Sequence, residues 1–245
     1  MLSYFQHIQM LLQEAERKNA PVIMELADQI ANSVIAGGVL HVFGTGHSHM
    51  LAEEVFYRAG GLIPINAMLD ARLMLHEGAL SSTLAERLTG YAEAILVRYD
   101  LRAGETIIIA SNSGRNAVPV EMALLARSRG LAVVALTSVA HSMAHESRHP
   151  SGKRLYEIAD RVLDNCGAVG DAALPLEGTA YKVGATSTVI GAALLQALMH
   201  AIAQRLVECG ADPVPVLVSS NLGAAGPELH NQALLEKYRA RLPHL

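Results

Sequence analysis

Three short loops of the sequence combine glycine with small hydroxyl and amide side chains, which can bind an anion without lysine. They read Gly-Thr-Gly-His-Ser-His at 44–49, Ser-Asn-Ser-Gly-Arg-Asn at 111–116 and Thr-Ser at 137–138. Backbone N–H groups at a helix N-terminus attract negative charge, and glycine lets the backbone approach a ligand closely. Each loop alone is also typical of ordinary turns and helix caps. Together, on one sheet edge, they predict a phosphate-binding cradle.

Each loop follows an apolar run that is rich in strand-forming residues. Five such runs occur, at 39–43, 62–69, 106–110, 131–137 and 161–165. Helical spacing of apolar residues covers 3–18, 21–36, 84–99, 184–208 and 228–241, with Pro21 suited to start the second helix. Apolar strands that alternate with helices are typical of a parallel sheet covered on both faces. We predict an α/β protein, a doubly wound five-stranded parallel sheet flanked by helices, with extra N- and C-terminal helices.

The composition is typical of one folded domain whose surface has no strong excess of positive charge for binding nucleic acid. The chain has 245 residues and a formal net charge of −4, from 19 Lys and Arg against 23 Asp and Glu. With a pI near 6.2, binding to nucleic acid through a basic surface is disfavoured. No linker divides the sequence, so 1–38 is interpreted as N-terminal helices that pack on a single domain at 39–245. Cys166 and Cys209 form neither a disulfide framework nor a metal-ligand pattern.

One stretch of the sequence is apolar enough to raise the question of a membrane. The mean hydropathy is +0.27, and no charged residue occurs from 183 to 204, a length that could cross a bilayer. Thr186, Gln196 and His200 interrupt this stretch with polar groups that lipid disfavours. We therefore interpret it as a core helix and expect no membrane partner. Polar residues in the first eighteen positions argue against a signal peptide, so we expect a cytoplasmic protein.

The first loop also begins like a dinucleotide-binding motif. It reads Gly-x-Gly, and Asp70 ends the second predicted strand, where an acid could meet a ribose. However, His49 stands where that motif has its third glycine, which close helix–strand packing needs. The sequence also lacks the Gly-x-x-x-x-Gly-Lys-Ser/Thr pattern of P-loops. A nicotinamide cofactor is therefore disfavoured, and we predict no cofactor.

These loops resemble those of the sugar isomerase (SIS) family of phosphosugar-binding domains, over about 39–204. The resemblance rests on the Gly-x-Gly-x-Ser turn that ends in Ser48, the run at 111–116 and the strand that ends Leu-Thr-Ser at 136–138. It implies the family's five-stranded parallel sheet and a site that holds a sugar phosphate. Asn116 stands where the family often has threonine. The substrate-binding residues implied are Gly46, Ser48, Ser111, Asn112, Ser113, Asn116, Thr137 and Ser138.

Within the family, the chain is similar to phosphoheptose isomerases. Those enzymes follow Ser-His with Ala-Glu-Glu, and here Glu54 is the implied catalytic acid/base. The late helix places His200 at the position of their catalytic histidine. The segment His-Glu-Gly-Ala at 76–79 resembles an N-acetylmuramic acid 6-phosphate etherase and implies a catalytic role for Glu77. Without the resemblance, Glu54 is more typical of a solvated helix face, and His200 is more typical of a buried core histidine than of a catalyst.

The histidines of the sequence do not predict a metal site. Met50 replaces the histidine that precedes the catalytic glutamate in metal-binding phosphoheptose isomerases, and the pair at 141 and 145 lacks the His-Glu-x-x-His pattern. His47, His49 and His76 lie near the predicted site, and whether they bind a metal is left open.

The function that we predict is aldose–ketose isomerisation of a sugar phosphate by a homodimer or homotetramer with sites near subunit interfaces. Proton transfer through an enediol needs a base on one face of two adjacent carbons and an acid at their oxygens. A lyase or etherase begins with the same proton abstraction, so it stays an alternative. A sugar-phosphate-binding regulator without activity is a third reading, although the residues before the first strand are too few and too acidic for a helix-turn-helix domain.

Overall fold

The computed structural model of the protein describes residues 3–219 and 225–245, with no side chains described for 225–227; residues 1–2 and 220–224 of the predicted domain ranges lie outside the described residues. Its main sheet has five strands in the order β2-β1-β3-β4-β5, and every pair is parallel. The predicted five-stranded sheet is confirmed. The strands are β1 Leu40–Gly44, β2 Ile65–Met68, β3 Thr106–Ala110, β4 Ala132–Thr137 and β5 Arg161–Asp164.

The apolar runs become strands because both faces of the sheet are covered. In β3, Ile108 packs into one core, whereas Ile107 and Ile109 pack into the core on the opposite face. All three side chains are fully buried. Successive residues of a strand point to opposite faces, so only a run without polar interruptions can serve two cores.

The helices divide between the two faces of the sheet, which makes the fold doubly wound. The first face carries α1 (Ser3–Ile35), α2 (His49–Val55) and α8 (Ser187–Glu208). The second face carries α4 (Tyr91–Leu96), α5 (Ala117–Ser128) and α7 (Leu155–Ile158). The remaining helices are α3 (Ala79–Ala85), α6 (Val139–Met143) and α9 (Ala225–Tyr238), and 3-10 turns occur at Gly46–Ser48, Ala71–Leu73, Leu75–Glu77 and Arg239–Arg241.

The N-terminal helix corrects one prediction. Two helices were predicted, with Pro21 at the start of the second, but α1 runs unbroken through Pro21. A proline inside a helix costs about 3 kcal/mol, whereas burying one large aliphatic side chain contributes about 1.5–3 kcal/mol. Ile8 and Leu11 before the proline, and Leu26 and Ile30 after it, are buried in the same core. The free energy gained by burying this continuous apolar stripe therefore outweighs the cost of the proline inside the helix.

A second correction concerns the helix predicted over 84–99. The structure ends α3 at Ala85 and starts α4 at Tyr91, with Gly90 between them at φ 84°. The Gly90 N–H donates to both carboxylate oxygens of Glu121 at 2.8 Å. That long-range contact fixes the break, and helical periodicity alone does not reveal it.

The uncharged stretch of the sequence forms most of α8. Among the described residues, α8 is the helix that is long and apolar enough to cross a membrane, and 44% of its most apolar window is buried. Leu195, Leu198 and Ile202 lie in the core that α1 shares, as the core-helix interpretation predicted. The helix starts at Ser187 rather than at 184 because β7 (Lys182–Ala185) pairs antiparallel with β6 (Ala172–Pro175). This mostly exposed hairpin was not predicted.

Candidate functional site

A cleft of about 460 Å³ opens at the carboxyl ends of β1 and β3. We call it the polar cleft. The turn after β1 contributes Thr45, Gly46, His47 and Ser48, and the loop after β3 contributes Ser111, Asn112, Ser113 and Asn116. The first residues of α8, Ser187 and Thr188, line a further wall. Two predicted loops therefore meet on one cleft, where parallel α/β sheets bind their ligands.

Six of the eight predicted substrate-binding residues line the polar cleft; Thr137 and Ser138 are not among its lining residues. Both are completely buried. The Thr137 hydroxyl donates to the carbonyl of Asn112 at 3.1 Å, and the Ser138 hydroxyl donates to the carbonyl of Gly167 at 2.6 Å. Ser138 also accepts from the His141 N–H at 3.1 Å and so caps α6. These two hydroxyls therefore hold the backbone of neighbouring loops in place.

The two glycines of the first loop are required by the backbone. A Cβ on Gly44 would collide with the carbonyl group of Ser48, because β1 turns sharply into the 3-10 turn there. Gly46 has φ +56°, a left-handed conformation that side chains disfavour. The turn thereby brings the backbone of 46–48 to the wall of the polar cleft.

One carboxylate of the polar cleft was not predicted from the sequence. Glu86, the residue after α3, lines the cleft. Its Oε2 accepts from the Thr45 hydroxyl at 2.8 Å and its Oε1 accepts from the Asn116 amide at 2.6 Å. Burial raises the pKa of Glu86, although the hydrogen bond from Thr45 and the charges of Arg87 and Arg148 oppose that rise. In the sequence it resembles an ordinary exposed helix glutamate, and its partners lie 41 and 30 residues away.

Besides Glu86 and His47, the titratable groups Asp171 and His141 line the polar cleft. Asp171 Oδ1 accepts from the N–H groups of Thr186 and Ser187 at 3.0 and 2.9 Å, and its Oδ2 accepts from the Ser187 hydroxyl at 2.7 Å. Asp171 therefore occupies the N-terminal end of α8. His141 Nδ1 accepts from the Gly170 N–H at 3.1 Å, and burial is the main cause that lowers the pKa of this histidine.

The three residues predicted as catalytic do not meet in this cleft. Glu54 lies on α2, where it accepts from the Gln196 amide at 3.0 Å and pairs with Arg58. Glu77 is exposed in a 3-10 turn beside His76. His200 is exposed on α8 and lines a groove of about 450 Å³ between α1 and α8. Helix α2 presents Glu54 to α8 rather than to the strand ends. The three side chains therefore lie apart within this subunit, and their catalytic roles stay a prediction.

Three histidines were left open near the site. His47 lines the polar cleft, whereas His49 and His76 line a neighbouring cavity of about 250 Å³ together with Glu53. His49 is buried and its Nδ1 lies 3.4 Å from Glu53 Oε1; desolvation outweighs that carboxylate and lowers the pKa of His49. Within residues 3–219 and 225–245, no three His, Cys, Asp or Glu side chains are placed to hold a metal ion.

Comparison with known proteins identifies the class to which this fold and cleft belong. The SIS domain family matches residues 3–138, and the chain belongs to that family. It is similar along almost its whole length to UPF0309 proteins. It is 46% identical over 245 residues to the one from Caldanaerobacter subterraneus subsp. tengcongensis, with 99% of this chain and 98% of the relative covered. It is 42% identical over 243 residues to the one from Halalkalibacterium halodurans, with coverages of 99% and 96%.

Solved structures with this fold include phosphoheptose isomerases. The enzyme from Francisella tularensis has a TM-score of 0.56 at 17% identity and covers 82% of this chain and 95% of its own. The enzyme from Neisseria gonorrhoeae has a TM-score of 0.51 at 19% identity, with coverages of 82% and 96%. At these identities the likeness concerns the fold. The resemblance to the SIS family is thus confirmed.

Proposed function

We propose that this protein is a sugar-phosphate isomerase that interconverts an aldose and a ketose without a redox cofactor. The observation that carries the proposal is the convergence of two hydroxyl- and amide-bearing loops, 45–48 and 111–116, on one cleft at the strand ends. Membership of the SIS domain family supports it, as does a fold shared with phosphoheptose isomerases.

The phosphate of the substrate binds on the side of the polar cleft that faces β3. Asn116 is the N-cap residue of α5, a 12-residue helix whose N-terminal end favours negative charge. The hydroxyls of Ser48 and Ser113 supply further donors at the cleft wall. Among the described residues that line the cleft there is no lysine or arginine, so neutral donors carry the recognition.

The sugar then extends toward the titratable groups of the same cleft. Isomerisation removes a proton from the carbon next to the carbonyl and returns it to the neighbouring carbon, which requires a group that alternates between base and acid. Glu86 and His141 are groups of this kind that line the cleft. A sugar held by its phosphate at the loops therefore presents its reactive carbons to acid–base side chains.

Proton exchange with the solvent tests this function. The purified protein is incubated in deuterated water with aldose and ketose phosphates of five to seven carbons, with and without an N-acetylamino group, and followed by NMR. We expect deuterium at C1 or C2 of one of them, together with aldose–ketose conversion. Loss of a substituent from C3 would instead identify a lyase. Binding without exchange would identify a regulator; either result refutes the isomerase.

We further propose that the protein is a cytoplasmic homo-oligomer. The groove between α1 and α8 is lined mainly by apolar side chains such as Leu12, Ile23 and Leu194, and Met24 at its edge is 60% exposed. A second copy that covers this groove would remove this surface from water and would bring His200 into the interface. Light scattering coupled to size-exclusion chromatography is expected to give two or four times the mass of the chain, and a monomer would refute the proposal.

A further inference from the structure

We infer that Glu86 is the catalytic residue that carries the proton between the two carbons of the sugar. This inference rests on the proposed function and names a residue that the sequence motifs do not mark. It follows from the position of the Glu86 carboxylate, from the residues that hold it and from the engagement of the other carboxylate of the polar cleft.

Glu86 is held between the two substrate-binding loops. The Thr45 hydroxyl, from the loop after β1, donates to Oε2 at 2.8 Å, and the Asn116 amide, from the loop after β3, donates to Oε1 at 2.6 Å. A carboxylate oxygen accepts about two hydrogen bonds, so each oxygen keeps one acceptor site, and the side chain lines the polar cleft. A base that is fixed by both loops is already positioned when a sugar phosphate binds to those loops.

Arg148 fixes the orientation of the amide that contacts Glu86. The Arg148 guanidinium donates to Asn116 Oδ1 at 2.9 Å. Because a guanidinium can only donate, the amide oxygen must face Arg148 and the amide nitrogen must face Glu86. Asn116 therefore acts as a positioning residue and holds one oxygen of Glu86 at a defined place.

The other carboxylate that lines the cleft is engaged elsewhere. Asp171 accepts two backbone N–H groups and the Ser187 hydroxyl at the start of α8. Moving or protonating it would remove the partners of those donors. By contrast, Glu86 accepts from two side chains. Burial raises its pKa, which makes its carboxylate a stronger base than an exposed glutamate.

The step that we assign to Glu86 is a balanced proton transfer. With an aldose phosphate, the carboxylate takes the proton from C2, and the electron pair of the C–H bond forms the C1–C2 double bond of the enediol. The carbonyl oxygen at C1 receives a proton, and the hydroxyl at C2 loses one as its carbonyl forms. The protonated Glu86 then returns its proton to C1 and is a carboxylate again.

The test compares Glu86→Gln with a matched control. Glutamine keeps the size of the side chain and one acceptor oxygen, which can still face the Asn116 amide, but it cannot take a proton from carbon. General acid–base catalysis contributes about 10²–10⁴-fold, so we expect deuterium exchange to fall at least about 100-fold. The affinity for the sugar phosphate, measured by calorimetry, is expected to change by less than about tenfold, since a single neutral hydrogen bond is worth about 1 kcal/mol. Glu93→Gln, on the exposed face of α4, is expected to exchange at the wild-type rate.

The outcomes separate this inference from the proposed function. If the wild-type protein exchanges no proton of any sugar phosphate, the proposed function fails and the inference fails with it. If the wild type exchanges and Glu86→Gln exchanges within a few-fold of it, only the inference fails. If circular dichroism shows that Glu86→Gln is unfolded, Glu86→Asp decides, because it keeps the charge and withdraws it from the substrate. A folded Glu86→Asp with unchanged exchange would overturn the role of Glu86.

Discussion

The protein carries a buried ion network at the end of the sheet opposite to the polar cleft, and its stability depends on one glutamate. Glu105 Oε2 lies 2.8 Å from His41 Nε2, and Oε1 accepts from Arg241 at 2.7 Å. The backbone N–H groups of Val39 and Arg102 donate to the same carboxylate at 3.0 and 2.9 Å. The network connects β1 and β3 to the C-terminal segment of the chain.

The pKa of Glu105 gives the magnitude of this contribution. Burial alone would raise the pKa, but the hydrogen bonds from His41, Arg241 and the Arg102 N–H outweigh burial and lower the pKa from 4.5 to about 2. A carboxyl group whose pKa is lower in the folded state stabilises the protein above its unfolded pKa. That stability is lost as the pH falls from about 4.5 toward about 2. The difference corresponds to about 3 kcal/mol at pH 7.

Glu105→Gln removes this charge. We expect the free energy of unfolding at pH 7, measured by urea denaturation, to fall by about 3 kcal/mol relative to the wild type. At pH 3 the wild-type glutamate has lost about half of its contribution. The difference between the two proteins should therefore shrink to about 1.5 kcal/mol at that pH.

Asp100→Asn is the matched control for this experiment. Asp100 also pairs with Arg241, but its side chain is 48% exposed, so the expected loss is below about 1 kcal/mol. A Glu105→Gln protein that unfolds within 1 kcal/mol of the wild type at pH 7 would refute the reasoning. A difference that does not change between pH 7 and pH 3 would refute it as well.

Further predictions concern the polar cleft and the attachment of α1. Gly44→Ala is expected to destabilise the protein by about 1–3 kcal/mol in urea denaturation, because the added methyl group collides with Ser48; unchanged stability would contradict the tight turn. Ser113→Ala is expected to weaken sugar-phosphate binding about tenfold or more in calorimetry without changing stability, and unchanged affinity would move the phosphate elsewhere. Asn19→Leu is expected to lower the free energy of unfolding in urea by about 3 kcal/mol, because Asn19 makes two hydrogen bonds with the backbone of Asp164 on β5. A loss below about 1 kcal/mol would show that the attachment of α1 does not need this contact.

Much of the fold could be predicted because the signal for the sheet is local. Every residue of the run 106–110 is apolar or threonine, and it forms β3 with the predicted bounds. The unbroken α1 and the break at Gly90 could not be predicted in the same way. Pro21 is tolerated only because residues on both sides of it share a core, and Gly90 ends a helix through a contact with Glu121. Both features depend on tertiary contacts, which the spacing of apolar residues in the sequence does not reveal.

In the candidate site, too, local features could be predicted from the sequence and features that depend on tertiary contacts could not. The position of Gly46, Ser48 and Ser113 at the polar cleft could be predicted because each lies in a single loop at a strand end. The position of Glu86 could not, since it depends on contacts with Thr45 and Asn116, which the fold brings to it from other loops. A sequence motif predicts which residues lie in a loop. Which carboxylate lies in the cleft depends on burial and on contacts with other loops.

A crystal structure of the protein soaked with a mixture of sugar phosphates would show directly where the substrate binds. We expect one sugar phosphate in the polar cleft, with its phosphate within hydrogen-bond distance of Ser48 and Ser113 and with C1 and C2 next to Glu86. A sugar phosphate bound instead in the groove between α1 and α8, beside His200, would contradict this expectation.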